Sequence, residues 1–364
     1  MHLRLLSGPD LVGGLADALE GGAPVAPVPD ARLLPALAVD RPVTEPGAAV
    51  VVTTSGSTGE PKAVVLGADA IRFAAGATHD RLGGPGEWVC ALPTQHVAGV
   101  MTIARAVVAG TRVRFARTDL ADLPRPEGRT YLSLVSAQLD RALDRPDLVA
   151  ALRRYAAVLV GGGAVPPHVR ERAADAGVPV VVTYGMSETC GGCVYDGLPL
   201  DGVRVAFEGE RVLLGGPMAF LGYRLRPDLT AEVLRGDVVR TTDRGEWRDG
   251  RLRVLGRLDD VVVTGGHKVD LAAAQAACDA VFGTGAVAVL AVPDPRWGVR
   301  IVAVTAGPLG LDEVRGALSA RVGAAALPRE LRHVPAVAYT SVGKIDRTAL
   351  LRSWQEADGD GDTG

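Results

Sequence analysis

The 364 residues, 48% hydrophobic and 22% charged, suffice for two or three domains with a full core. Acidic and basic side chains nearly balance at a formal net charge of -3, and no long basic run is present that would follow a nucleic-acid backbone or an anionic membrane. Four scattered cysteines are too few for a disulfide framework, and no segment offers about 18 apolar residues unbroken by charge or glycine, so a cytoplasmic globular protein with no nucleic-acid or membrane partner is expected. The opening MHLRLLSGPDLVGGL has neither a sustained apolar run nor a small-residue cleavage site, which agrees with that expectation.

Residues 49–54, AVVVTT, form a valine-rich run, and ADAIRFAAGATHDRL after it reads as a helix. The same succession recurs in EWVCALP with GVMTIARAVVAG and in YAAVLVGGG with PPHVRERAADAG, and VPVVVTYG closes the series. Continuously apolar strands separated by helices predict a large α/β domain with parallel sheets buried on both faces. From about residue 200 the segments shorten and alternate, as in RVAFEGERVLLGG and GEWRDGRLRVLGR, where Asp249-Gly250 is a hairpin turn; this predicts a small antiparallel β subdomain. Beyond Arg257 come VVVTGG, a helix near LAAAQAACDAVF, strands AVAVLAVP and RIVAVTAG, a helix at LDEVRGALSARVG and a strand near HVPAVAYT, the order of a small α+β domain. The expected organisation is an N-terminal domain over 1–257, a C-terminal domain over 258–355 and a disordered tail over 356–364, which lacks apolar content.

Residues 52–62 read VTTSGSTGEPK. Hydroxyls, glycines and a lysine directly after a buried strand have the makings of a phosphate cradle, with backbone N–H groups and Lys62 turned on an anion. A flexible linker is the competing reading, although linkers seldom follow a buried strand so abruptly. Ala63 excludes a Walker A loop, which needs Ser or Thr after its lysine.

Other residues carry two readings each. Tyr184, ending VPVVVT, offers a face for a base or simply packs in the core. Glu188 beside a phosphate loop makes sense through a hard cation such as Mg2+, or is a solvated loop acid. Asp243 can accept from ribose hydroxyls or make an Asx turn, and Arg257 can reach a ribose or phosphate or form a surface ion pair. Cys190-Gly191-Gly192-Cys193 suggests redox chemistry or half a zinc site, but no second pair has suitable spacing, and it reads better as pocket lining.

In order along the chain, TTSGSTGEPKAV, YGMSET, TDRG, GRLDD with GGHKV, and GKIDR resemble the motifs of the adenylate-forming superfamily of acyl-CoA synthetases, adenylation domains and luciferases. Five in sequence over residues 50 to 350 make a specific match. YGMSETC is similar to YGMTETC of the o-succinylbenzoate-CoA ligases, and the short stretch before residue 53 resembles their compact actinobacterial forms. The resemblance implies an ATP site at Thr54, Ser55, Gly56, Ser57, Thr58, Gly59, Lys62, Gly162, Tyr184, Gly185, Met186, Ser187, Asp243 and Arg257, with Glu188 and Thr58 at magnesium. It further implies that Lys344 in GKIDR faces the α-phosphate and the substrate carboxylate, that Asp259 is a hinge for a mobile C-terminal domain, and that Gly265, Gly266 and Lys268 line the path of coenzyme A. His96 and Gly191 fall at the acyl pocket, where a structural role is the alternative for His96, and a homodimer is an option the superfamily admits. Ala63 in place of glycine and Ser57 and Ser187 in place of threonine are mild departures.

The implied reaction is acyl-adenylate formation from a carboxylic acid and ATP, followed by transfer to coenzyme A. The implied acid is 2-succinylbenzoate, whose second carboxylate needs a donor among His96, Arg72 and Arg105. Another aryl or short acyl acid, a carrier-protein acceptor, and a non-catalytic nucleotide-binding protein are the alternatives; intact Glu188 and Lys344 speak against the last.

Overall fold

The computed structural model describes residues 1–54, 61–339 and 345–359. The expectations placed on Ser55, Gly56, Ser57, Thr58, Gly59 and Lys344, and on residues 360–364, lie outside the described residues. The chain divides into two compact units, Met1–Thr241 with Trp247–Arg253, and Thr242–Glu246 with Val254–Gly364.

In the first unit, a seven-stranded sheet has the order Leu198–Pro199, Gly191–Tyr195, Val180–Met186, Ala157–Gly161, Thr130–Val135, Glu87–Cys90, Val113–Phe115. The last five run parallel; Gly191–Tyr195 returns antiparallel beside Val180–Met186, and Leu198–Pro199 lies antiparallel to Gly191–Tyr195. The expectation of burial on both faces holds. Trp88 and Tyr131 point into one core cluster and their neighbours Val89 and Leu132 into another, which the period of two along a strand requires. A second sheet takes the order Arg4–Leu6, Val25–Pro27, Ala48–Thr54, Lys62–Gly67, Gly222–Tyr223. Helices Asp10–Leu19, Ala68–Arg81 and Val97–Val108 share a core with both sheets through Leu11, Leu15, Ile71 and Ile103.

Arg224 follows the last strand of the second sheet and is 3% exposed. Its guanidinium donates to the backbone carbonyls of Leu37, Ala38, Arg41 and Pro42, replacing with protein acceptors the water it has lost. The β subdomain is antiparallel as expected, with Arg204–Glu208, Arg211–Gly215, Val238–Arg248 and Leu234–Arg235 in order and Arg251–Arg257 paired to Val238–Arg248. Asp249 and Gly250 join the last pair with φ of 52° and 70°, the two positive values of a type I′ turn.

The second unit holds the hairpin Val261–Thr264 and His267–Asp270, helix Leu271–Phe282, strands Val287–Asp294 and Gly298–Thr305, helix Leu311–Leu318, strand Leu331–His333 and helix Arg347–Gly359. Asp270 caps the first of these helices by accepting from the backbone N–H groups of Ala272 and Ala273. Three details depart from the sequence reading. His267–Asp270 is a second hairpin strand despite residues of low β preference. The strand expected near HVPAVAYT lies earlier, at Leu331–His333, because Pro335 has no N–H to give a ladder; among the described residues Tyr339 makes only an isolated antiparallel bridge with Ile345. The final helix runs through Gly359, so its last turn occupies the opening residues of the expected tail. Among the described residues no helix is long and apolar enough to cross a membrane.

Candidate functional site

Parallel strands bring their carboxyl ends to one edge, and in the seven-stranded sheet that edge collects predicted residues from three loops. After Glu87–Cys90 the chain leaves to one side, to Val113–Phe115, and then crosses to the other, to Thr130–Val135. Such a switch point opens a crevice beyond the strand ends. His96 enters from the loop after Cys90 as the residue before helix Val97–Val108, Gly162 follows Ala157–Gly161, and Tyr184 to Met186 end Val180–Met186. His96 is half-buried, and that burial lowers its pKa below the ordinary 6.5 in spite of Asp30, which leaves a neutral imidazole at neutral pH.

The turn after Met186 is built for close approach. A Cβ on Gly185 would stand 2.0 Å from the carbonyl oxygen of Gly191, so no other residue fits there. Cys190 and Gly191 both take left-handed conformations, with φ of 51° and 81°. Thr189 Oγ1 accepts from the Met186 N–H at 3.0 Å and donates to the Gly191 carbonyl at 2.8 Å, closing the three-residue 3-10 turn Ser187–Thr189 that carries Glu188. Tyr184 stands opposite Val194 and packs partly on the core, so its core role is real and its aromatic face is not wholly consumed by it.

Thr54 and Lys62 are direct cross-strand partners, at the end of one strand and the start of its antiparallel return. Lys62 Nζ lies 5.5 Å from the centre of the Tyr223 ring, and Tyr223 donates its hydroxyl hydrogen to Glu188 Oε1 at 2.5 Å. Lys62, at the start of a strand of the second sheet, and Glu188, on the turn after Val180–Met186, are thus brought together through Tyr223, which sequence reasoning does not single out. No motif marks it, since 35 residues separate it from Glu188.

The helix after His96 carries Met101 and, one turn on, Arg105. Met101 is 3.7 Å from where a Cβ on Gly191 would lie. Arg105 is 4% exposed, sits 5.0 Å from the centre of the Trp88 ring, and its Nε has no hydrogen-bond partner among the described residues. Trp88 in turn donates its indole hydrogen to His79 Nε2 at 3.0 Å. Arg72, by contrast, is engaged by Glu20, Asp69 and the Leu19 carbonyl. Cys190 and Cys193 do not line a pocket as the sequence reading expects. Both are buried in the core as small apolar groups, and burial pushes the thiol pKa of Cys193 up to about 12.

In the second unit, Arg257 grips Asp259 with both arms at 2.8 and 2.7 Å and reaches Asp243 at 3.9 Å, so three predicted residues form one cluster. Gly265 and Gly266 make the tight turn of the hairpin, with φ of 55° and 82°; Lys268 stands on its exposed return strand opposite Val263. The Gly265 N–H donates to the Trp297 carbonyl at 3.0 Å, and a Cβ on Gly265 would meet the Trp297 ring at 2.5 Å.

Residues 16–236 match the model of the AMP-binding enzyme family. The chain is 41% identical over 371 residues to a probable 2-succinylbenzoate–CoA ligase of Mycobacterium tuberculosis, covering 96% of each. It superimposes with a TM-score of 0.73 on o-succinylbenzoate CoA synthetase of Bacillus subtilis in complex with its acyl-adenylate intermediate, at 22% identity over 91% of this chain and 75% of that one. The Bacillus subtilis synthetase in complex with ATP and magnesium gives a TM-score of 0.74 at 20% identity, over 96% and 79% of the two chains.

Proposed function

We propose, from the premise that the chain belongs to the AMP-binding enzyme family, that it is an acid–thiol ligase that converts 2-succinylbenzoate to its coenzyme A thioester through an acyl-adenylate. The observation that carries the substrate is the near end-to-end 41% identity to the mycobacterial relative. In the first half-reaction a carboxylate oxygen of the acid attacks the α-phosphorus of ATP, and the bond to pyrophosphate breaks. In the second, the sulfur of coenzyme A, having given up its proton, attacks the acyl carbon and AMP leaves.

Magnesium fits the residues present. A magnesium ion that travels with nucleotide phosphates needs only one or two protein carboxylates, and Glu188 makes its single side-chain hydrogen bond among the described residues with Tyr223, leaving the other oxygen for a cation. Bound with the nucleotide, the ion supplies positive charge to the phosphate oxygens. Lys62 stands ready for the phosphates at the base of residues 55–60, Tyr184 offers a face to the base, and Asp243 and Arg257 suit the ribose. Lys344 is assigned the charge that builds up where two anions meet, a task for a preorganised cation. Asp259 is assigned the hinge, and Gly265, Gly266 and Lys268 the thiol's approach.

Arg105 is the donor best suited to the second carboxylate of the acid. It is a buried cation on the helix that flanks Gly191, with no hydrogen-bond partner at its Nε among the described residues and its charge over an indole, whereas Arg72 is already neutralised. A buried charge of this kind gains most from an anionic partner. His96, neutral and half-buried at the switch point, suits a gate or hydrogen-bonding role at the acyl pocket.

The test is pyrophosphate release measured with a panel of acids, with and without coenzyme A. Release with 2-succinylbenzoate above all others, and thioester only when coenzyme A is added, is the expected result. Release with no acid would overturn the proposal, and a strong preference for another acid would displace the substrate.

A further inference from the structure

We infer that Tyr223 is a positioning residue for Glu188: it holds one carboxylate oxygen so that the other is presented to the metal–nucleotide complex, and the inference rests on the role proposed above for Glu188. Glu188 needs such a partner. It rides on a three-residue turn, and a carboxylate three rotatable bonds from that backbone has no fixed direction of its own.

Tyr223 is itself well fixed. It is 6% exposed, its backbone pairs with Val64 on the strand that begins at Lys62, and its N–H donates to Thr230 Oγ1 at 2.8 Å. Phe220 meets the ring edge-on, 4.9 Å between centres at 67°, and the Phe220 N–H donates to the backbone carbonyl of Glu188 at 2.9 Å. The hydroxyl and the ring face therefore serve different neighbours. The hydroxyl engages the acid, while the face carries the ammonium of Lys62. One side chain so spaces the anion that meets the metal from the cation that closes the stretch VTTSGSTGEPK.

Partners that orient a metal-binding side chain typically change metal affinity by about 10- to 100-fold when removed. Tyr223→Phe removes the donor and keeps the ring. Calorimetric titration with α,β-methylene-ATP, with magnesium and with chelator, reads the effect without turnover. The expected result is that Tyr223→Phe loses roughly 10- to 100-fold of the magnesium-dependent gain, leaves metal-free binding unchanged, and adds nothing on a Glu188→Gln background. Tyr223→His, which returns a donor to an aromatic ring, should recover part of the gain and serves as the second variant if Tyr223→Phe proves unstable. A full magnesium gain in Tyr223→Phe, or equal losses with and without the metal, would overturn the inference while leaving the role of Glu188 standing. No magnesium gain in the wild-type protein would remove the role of Glu188 and the inference with it.

Discussion

The indole of Trp88 gives its hydrogen to His79 at 3.0 Å, and the face of the same indole carries Arg105, so one ring links a buried base to a buried cation. His79 must therefore accept, and burial together with Arg105 holds its pKa down at about 4. An unfolded histidine titrates near 6.5. Between these values the unfolded chain binds a proton that the folded chain refuses, so stability is lost as pH falls from about 6.5 to about 4, by roughly 3 kcal/mol from this residue. Urea midpoints across that range should show the slope, and His79→Gln, which keeps an acceptor but cannot titrate, should flatten it. An unchanged slope in the variant would assign the acid sensitivity elsewhere.

Arg105→Met should separate substrates. With 2-succinylbenzoate, kcat/KM is expected to fall roughly 10- to 100-fold, the worth of a hydrogen bond to a charged group. With 3-benzoylpropionate, which lacks the ring carboxylate, the change should be small. Equal losses on the two acids would show that Arg105 supports the fold rather than the anion.

Lys344→Ala should slow adenylate formation by about 100- to 1000-fold. Thioester formation from adenylate made beforehand should persist. Rapid-quench measurement of the two steps checks this, and loss of both to the same extent would contradict the assignment of separate residues to separate half-reactions.

Gly265→Ala places a methyl group against the Trp297 ring in a left-handed turn, with a cost of about 1–3 kcal/mol to that hairpin. The transfer step should suffer more than the adenylation step. Stopped-flow comparison of pyrophosphate release and thioester formation distinguishes them; a defect confined to adenylation would remove Gly265 from the thiol's path.

Much of this molecule is legible from one dimension. Runs such as AVLV at 157–160 predict strands because both faces of a parallel sheet are buried, and Asp249-Gly250 predicts a turn because few residues accept two positive φ values. The motif residues at the sheet's carboxyl edge, His96, Gly162 and Tyr184, are found together because chain direction places them there. Links between distant segments are a different matter. Neither periodicity nor propensity predicts that Tyr223 will stand between Lys62 and Glu188, or that Trp88 will stack beneath Arg105. Such contacts depend on which strands become neighbours, a property of the assembled sheets. Pro335 shows the reverse error, an apolar stretch that reads as a strand but lacks a donor.

Arg224 imposes an order on synthesis. Leu37 is 187 residues upstream of the guanidinium that bonds its carbonyl, so a ribosome adding about 5–20 residues per second leaves that carbonyl without this donor for roughly 10–40 s, although Leu37 packs on Val51 and Val65 much sooner. A message broken before codon 224 yields a chain whose Leu37 and Ala38 carbonyls never meet that guanidinium.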